Sequence, residues 1–298
     1  MVAETRHAAA ARHTRGATKS TRQLAWAFLV RGRLQYLPLL LSDYGCQILK
    51  YKYDAFSTDR AYENRPSGAL GPVGRLVDRL VLNFPTHEGL RQRLAIVSSV
   101  LVGEIERRVS EGEKRVRVLS APCGLARDVI TAGRRLRAKD SYTPTIVEFH
   151  ALDLDERGDV IPEAARRAAA ARVDVRFYRE DLFNSPSLMA LLGDQSRFEI
   201  VNCIGLAAWL DLPDVQRLTS FFQERLLDLG GTLIVDNFSW HRFSALGRKL
   251  EMNTRYHPQG EFVRAIEETG FRLRESRPTA NGVNTVYVFV SVGRSGRS

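Results

Sequence analysis

Residues 115–130 read Arg-Val-Arg-Val-Leu-Ser-Ala-Pro-Cys-Gly-Leu-Ala-Arg-Asp-Val-Ile. Val116 and Val118 head a short apolar run that suits a buried strand. Ala121 to Gly124 are small or turn-prone. From Ala126 the period becomes helical, with Val129, Ile130 and Leu136 as apolar positions. A strand, a tight turn and a helix in that order gather backbone N–H groups around one concave spot. An acid then closes a second strand at Asp153, and another closes a third at Asp181. The series outlines a site for a nucleoside-type cofactor.

Working outward, the pattern predicts strands at 115–120, 145–153, 173–179, 197–204, 230–237, 271–277 and 283–291. Helices are expected between them at 125–137, 157–172, 186–193, 213–228 and 259–269, with a short one over 241–252. Alternation of strand and helix implies an α/β fold with a mostly parallel sheet covered on both faces. Only Pro278 to Gly282 separate the last two strands, too little chain for a parallel crossover, so those two pair antiparallel. The first 110 residues read as all-helical. Leu24, Phe28, Leu34, Leu37, Leu41, Ile48 and Leu49 give an apolar face over 21–56, interrupted at Pro38. Residues 57–72, with Pro66, Gly68, Gly71 and Pro72, read as loop. Leu76, Leu80 and Val81 suggest a further helix ending near Pro85, and Leu94, Val97, Leu101 and Ile105 a long one over 88–110. The expected organisation is a basic tail (1–20), a helical N-terminal cap (21–110) and a Rossmann-like domain (111–298).

The chain has 298 residues, 44% of them hydrophobic, enough for a substantial core, and a formal net charge of +10. Part of that charge is local: residues 1–22 hold Arg6, Arg12, Arg15, Lys19 and Arg22 against Glu4. A solvated arginine-rich terminus is the plain reading, and contact with nucleic acid or an anionic surface the alternative. The three cysteines, Cys46, Cys123 and Cys203, show no paired spacing, so neither a disulfide framework nor a metal site is indicated. A reducing cytoplasm fits. The most apolar segment, Leu24 to Val30, is stopped by Arg31 and Arg33, far short of the roughly 20 residues of a membrane span.

Four segments resemble the class I S-adenosylmethionine-dependent methyltransferases. Val118 to Ala126 sits where that superfamily has its glycine-rich first motif. Phe149-His-Ala-Leu-Asp153 sits at its ribose-binding acid, and Phe177 to Leu182 at the acid near adenine. Phe198 to Gly205 and Leu229 to Asp236 look like its fourth and fifth strands. Upstream, Tyr62 to Gly68 and Gly89 to Arg93 resemble a branch with a helical N-terminal extension. The resemblance implies a seven-stranded sheet of order 3-2-1-4-5-7-6 with the last strand antiparallel. It implies S-adenosyl-L-methionine as cofactor, held by Ser120, Ala121, Pro122, Cys123, Gly124, Asp153, Leu154, Asp181, Leu182 and Asn202. A carboxylate at a strand end suits a vicinal diol, which is the task implied for Asp153. Asp155 is read as a cap for the next helix.

In the same superfamily the acceptor pocket lies over the ends of the fourth and fifth strands, closed by the N-terminal extension. That implies Asn202, Cys203, Trp209, Asp236, Asn237 and His241 near the reactive methyl. His241 is the favoured general base, with Asn202 and Tyr62 as further catalytic candidates and His150 and His257 as weaker ones. Tyr36, Tyr44, Tyr51, Tyr53 and Tyr62 crowd the helical extension, where rings facing a sulfonium would attract it. Arg91, Arg93 and Arg127 are candidates for the cofactor carboxylate. The expected function is methyl transfer to a small molecule, in specialised metabolism, with neither nucleic acid nor membrane as partner.

One departure from the pattern opens an alternative. Ser120 and Pro122 stand where the superfamily commonly has an acid and a glycine, and Ala126 also replaces a glycine. That acid usually helps hold the cofactor's ammonium. Without it the amine loses its proton more easily and could close a four-membered ring on the carbon beside sulfur. Azetidine-2-carboxylate synthases, which resemble methyltransferases, release methylthioadenosine this way. Two further readings are a nucleic-acid methylase using the basic tail and a degenerate cofactor-binding partner subunit.

Overall fold

A computed structural model describes residues 39–68, 71–139, 146–193, 197–241, 244–249 and 254–293. The basic tail, Leu24, Phe28, Leu34, Tyr36 and Leu37 lie outside these residues. Two compact units are present. One runs up to Leu90 and takes in a segment from Ala245 to Asn253; the other holds Arg91–Ser244 and continues from Thr254.

The first unit is helical among its described residues, with helices Asp43–Tyr51, Ala55–Glu63 and Gly71–Leu82. The second of these corrects the expectation of loop over 57–72. Its residues lack an apolar period, but Asp54 caps it by accepting from Ser57 N at 2.8 Å, and Asn64 ends it in the left-handed region. The first two helices also replace the single helix expected through residue 56. Lys52, with φ of 60°, separates them. The Gly71–Leu82 helix buries Gly74, Asp78, Val81 and Leu82, whereas Leu76 and Leu80 are exposed. Asp78 organises this unit. Its carboxylate accepts from Ser42 Oγ (2.5 Å), Tyr44 N (3.0 Å), Ser67 Oγ (2.9 Å), Ser67 N (3.0 Å) and Gly68 N (3.3 Å).

The second unit contains a seven-stranded sheet: β1 (Val116–Ser120), β2 (Val147–Asp153), β3 (Val175–Arg179), β4 (Phe198–Cys203), β5 (Leu227–Phe238), β6 (Phe271–Pro278) and β7 (Asn284–Ser291). The order is β3-β2-β1-β4-β5-β7-β6. β1 to β5 pair in parallel, and β7 runs antiparallel between β5 and β6. Successive side chains serve opposite faces, so Val118 and Leu119 enter different clusters. On one face Val97, Leu101 and Ile105 from the Pro85–Ser110 helix pack with Val129 and Leu136 from the Arg127–Ala138 helix. On the other, Val215, Leu218 and Phe262 join Leu152, Val201 and Leu233. Gly133 lets the Arg127–Ala138 helix approach closely, since a Cβ there would meet Val173 Cγ1 at 2.6 Å. The helix expected over 213–228 ends earlier, as Leu212–Phe221 followed by a π-helical turn, Phe222–Leu226, and β5 starts at Leu227. Among the described residues no helix is long and apolar enough to cross a membrane.

Candidate active site

The parallel pairing sets the carboxyl ends of β1 to β5 along one edge of the sheet. The order reverses between β1 and β4, because β2 lies on one side of β1 and β4 on the other. Such a switch point leaves a crevice outside the strand ends. The loop after β1 is fastened to both neighbours. Ala121 N donates to Asn202 O on β4 at 2.9 Å, and Cys123 N donates to Leu152 O on β2 at 2.8 Å. These N–H groups therefore join strands and do not face the crevice. Ala121 and Cys123 are buried, and burial raises the Cys123 thiol well above its usual range. Pro122 and Gly124 are half-buried and form the open part of the loop.

Asp153, at the end of β2, accepts from Gly124 N at 2.8 Å and Asp155 N at 3.1 Å. Burial raises its carboxyl in spite of those donors. Leu154 beside it is exposed. Asp155 takes up its capping role: its oxygens accept from the N–H groups of Asp159, Val160 and Ile161. Burial acts to raise this carboxyl, but those backbone donors outweigh it and hold it low. After β3, Asp181 accepts from Phe183 N at 2.9 Å and is half-buried, while Leu182 is buried.

Between β1 and β4 lies a group that the motif reading missed. Ser120 and Asn202 are fully buried neighbours in the β1–β4 ladder. Ser120 Oγ donates to Asp128 Oδ2 at 3.1 Å, Asn202 Nδ2 donates to Ser120 Oγ at 3.2 Å, and Asn202 Nδ2 also donates to Asp128 Oδ2. Asp128 belongs to the first turn of the Arg127–Ala138 helix and is half-buried. Burial raises its carboxyl above the ordinary range, against hydrogen bonds from Val129 N, Ser120 and Asn202. Asn202 Oδ1 is buried and accepts no hydrogen bond among the described residues. An acceptor oxygen in want of a donor, beside a carboxylate raised by burial, makes a locus suited to a cation. The premise of the ring-closing alternative was a site without an acid. That premise does not hold, because Asp128 supplies a carboxylate one hydrogen bond from Ser120.

At the end of β5, Asp236 accepts from Arg93 Nη1 (2.8 Å), Asn284 Nδ2 (2.9 Å) and Gly205 N (2.6 Å). Arg93 and Asp236 are both buried, and Arg93 lies over Phe238. Arg93 thus serves the strand ends as a buried ion pair. His241 N donates to Ser244 Oγ at 2.9 Å where the Ser244–Lys249 helix starts, and the His241 ring lies edge-on to Tyr256. Burial lowers its imidazole, so the neutral form prevails at pH 7. His257 Nε2 lies 3.0 Å from Leu210 O and must donate there, so it is a structural group. His150 is buried within β2, 2.9 Å from Tyr178 Oη. Tyr62 lies in the Ala55–Glu63 helix of the other unit and is half-buried. Among the described residues no group of three or more His, Cys, Asp or Glu could hold a metal ion.

Residues 2–289 match a family model described as "Putative methyltransferase". The chain belongs to this methyltransferase family. It is 26% identical over 243 residues to the uncharacterized protein YnbC of Escherichia coli K12; the match takes in 78% of the chain and 39% of YnbC. The chain therefore spans well under half the length of that relative. Among solved structures it is similar to a possible exported protein from Bordetella parapertussis, with a TM-score of 0.65, 18% identity, and coverage of 89% of this chain and 88% of that one. It is also similar to magnesium protoporphyrin IX methyltransferase from Synechocystis PCC 6803, solved with S-adenosylhomocysteine. There the TM-score is 0.51 and the identity 14%, over 82% of this chain and 98% of the other. At such identities the likeness establishes the fold, which is that of the class I methyltransferases.

Within this methyltransferase framework, the acids at the ends of β2 and β3 were visible in the sequence and Asp128 was not. The signal was present: a serine where the superfamily expects an acid, followed by an acid just inside the next helix. The motif reading stopped at Ser120 and gave Asp128 no role.

Proposed function

We propose that the protein transfers the methyl group of S-adenosyl-L-methionine to a small-molecule acceptor. The observation that carries this reading is the Asp128–Ser120–Asn202 locus at the switch point. A carboxylate and an unfilled amide oxygen there fit an ammonium group, while Asp153 on the neighbouring strand fits a diol. When bound, the cofactor supplies an electrophilic methyl on a sulfonium. The chain's residues do the rest. Pro122 and Gly124 line the methionine side, with Ser120, Ala121, Cys123 and Asn202 fixing that loop's shape. Asp153 takes the ribose hydroxyls, Leu154 covers one face of the adenine, and Asp181 with the Leu182 backbone reads its edge. The acceptor lies over the ends of β4 and β5, where His241, neutral at pH 7, takes the proton that the acceptor gives up. Alignment at that place supplies much of the rate.

The same proposal sets the protein in the cytoplasm, consistent with three free thiols, with neither nucleic acid nor membrane as partner. The test is calorimetry with S-adenosylhomocysteine. Asp153→Ala is expected to weaken binding about tenfold or more, the worth of a charge-assisted hydrogen bond. Unchanged affinity would show that the ribose is held elsewhere. Incubation with S-adenosylmethionine alone adds a second check. Enzymatic release of methylthioadenosine would overturn methyl transfer in favour of ring closure.

A further inference from the structure

The sheet unit holds a further concavity, between the Ser185–Leu192 helix and the end of the Leu212–Phe221 helix. Its volume is about 630 Å³, inside the range of about 300–1,000 Å³ usual for small-molecule sites. None of the residues assigned above to cofactor or acceptor lines it. Pro186, Met189 and Phe221 supply an apolar wall, and Met189 and Phe221 rest on the buried core of that face of the sheet. Both are half-buried, so each keeps apolar surface that a ligand can cover. Methionine adapts its shape to what it meets, which suits it to such a wall.

The mouth of the cleft is charged. Arg217, Glu224 and Arg225 are exposed there, two cations to one anion. Arg217 is engaged by Asp214 in the turn before it, and Glu224 is likewise not free. Arg225 makes no hydrogen bond or ion pair among the described residues. Its backbone is nevertheless held in place. It lies in the π-helical turn Phe222–Leu226, and Arg197 ties that turn down by donating to Glu224 O at 2.9 Å and Leu227 O at 2.6 Å. Such π-helical turns recur at functional sites. The cleft therefore combines an apolar wall, an open guanidinium and a fixed frame.

We propose that this cleft binds a small molecule with an apolar body and one anionic end, the body against Met189 and Phe221 and the anion paired with Arg225. The occupant is neither the methyl donor nor the acceptor, and the site goes beyond the methyl-transfer reading. Covered apolar area supplies most of the affinity. A guanidinium offers a carboxylate two parallel N–H donors and so selects for the charge.

The experiment titrates three probes by calorimetry into protein saturated with S-adenosylhomocysteine, so that the cofactor crevice is filled. They are 2-naphthoate, the neutral 2-naphthamide of matching size, and acetate, which has the charge without the body. The naphthoate should bind about fivefold more tightly than the amide, and acetate should not bind at concentrations where naphthoate saturates. Arg225→Gln should weaken naphthoate about fivefold and leave the amide unchanged, the modest effect of an exposed charge. Phe221→Ala should weaken both naphthyl probes alike. The urea midpoint of Arg225→Gln should equal that of the unaltered protein, which shows that the variant folds. Absence of naphthoate binding, equal binding of naphthoate and amide, or an unaffected Arg225→Gln would overturn the proposal while leaving methyl transfer standing. So would naphthoate that binds the protein alone but not the protein saturated with S-adenosylhomocysteine, because it would then occupy the crevice.

Discussion

Asp78 in the helical unit and Asp128 in the sheet unit are both carboxylates withdrawn from water, and they end in opposite states. Asp78 takes hydrogen bonds from Ser42, Tyr44, Ser67 and Gly68. Burial works to raise its carboxyl, but these donors outweigh burial and hold it below the usual range. Asp128 has Ser120, Asn202 and Val129 N as donors, and there burial wins and the carboxyl is raised. A carboxylate saturated by its own chain is a fastening. One with fewer donors, next to an amide oxygen that accepts no hydrogen bond among the described residues, is poised for a positive group from outside. Donor supply separates a structural acid from a binding one more sharply than burial does.

Of the two carboxylates, Asp78 carries the larger share of stability. Replacing it with Ala strands several buried donors at once and should cost about 3–4 kcal/mol. Urea unfolding would read this as a lowered midpoint in the transition of the helical unit. A loss below about 1 kcal/mol would mean that those donors find other partners. Because the Asp78 carboxyl is lowered, its contribution is present above the unfolded value near 3.8 and fades as pH falls through the folded value.

A second titration, in the sheet unit, sharpens the point from the basic side. Burial, helped by nearby Arg176, lowers the His150 imidazole from 6.5 to about 4. The folded state thus favours the neutral ring. Between those two values the unfolded chain binds the extra proton, so stability rises with pH and is complete above about 6.5. The full swing is about 3 kcal/mol. Thermal unfolding from pH 7 down to pH 4 should show it, and His150→Phe should flatten that slope. A slope unchanged in the variant would assign the acid sensitivity to other groups.

Much of the sheet was legible. β1, β2 and β4 are buried on both faces at Val118-Leu119, Ala151-Leu152 and Ile200-Val201, because helices cover both, and each strand lies between turn signals. Asp153 and Asp181 stood out because each comes at or just after a strand end. The helix Ala55–Glu63 did not, because its signal lies in the Asp54 cap and not in an apolar period. The pairing of Arg93 with Asp236 joins residues 143 apart in sequence, one on the Pro85–Ser110 helix and one on β5, and becomes visible only when that helix packs on the sheet. Asp128 fell between these cases. Its place just inside a helix was readable, but its meeting with Ser120 and Asn202 needed the register of β1 against β4. Leu76 and Leu80 suggested a buried helical face, whereas the residues that the helix actually buries include the charged Asp78.

The most direct test of the account is the affinity of Asp128→Asn for S-adenosylhomocysteine, whose ammonium group matches that of the methyl donor. The substitution keeps the size of the side chain and removes its charge. The expected result is about thirtyfold weaker binding, roughly 2 kcal/mol, with unfolding stability changed by less than about 1 kcal/mol. Full affinity in the variant would contradict the assignment of Asp128 to the ammonium group and, with it, the placement of the cofactor at this switch point.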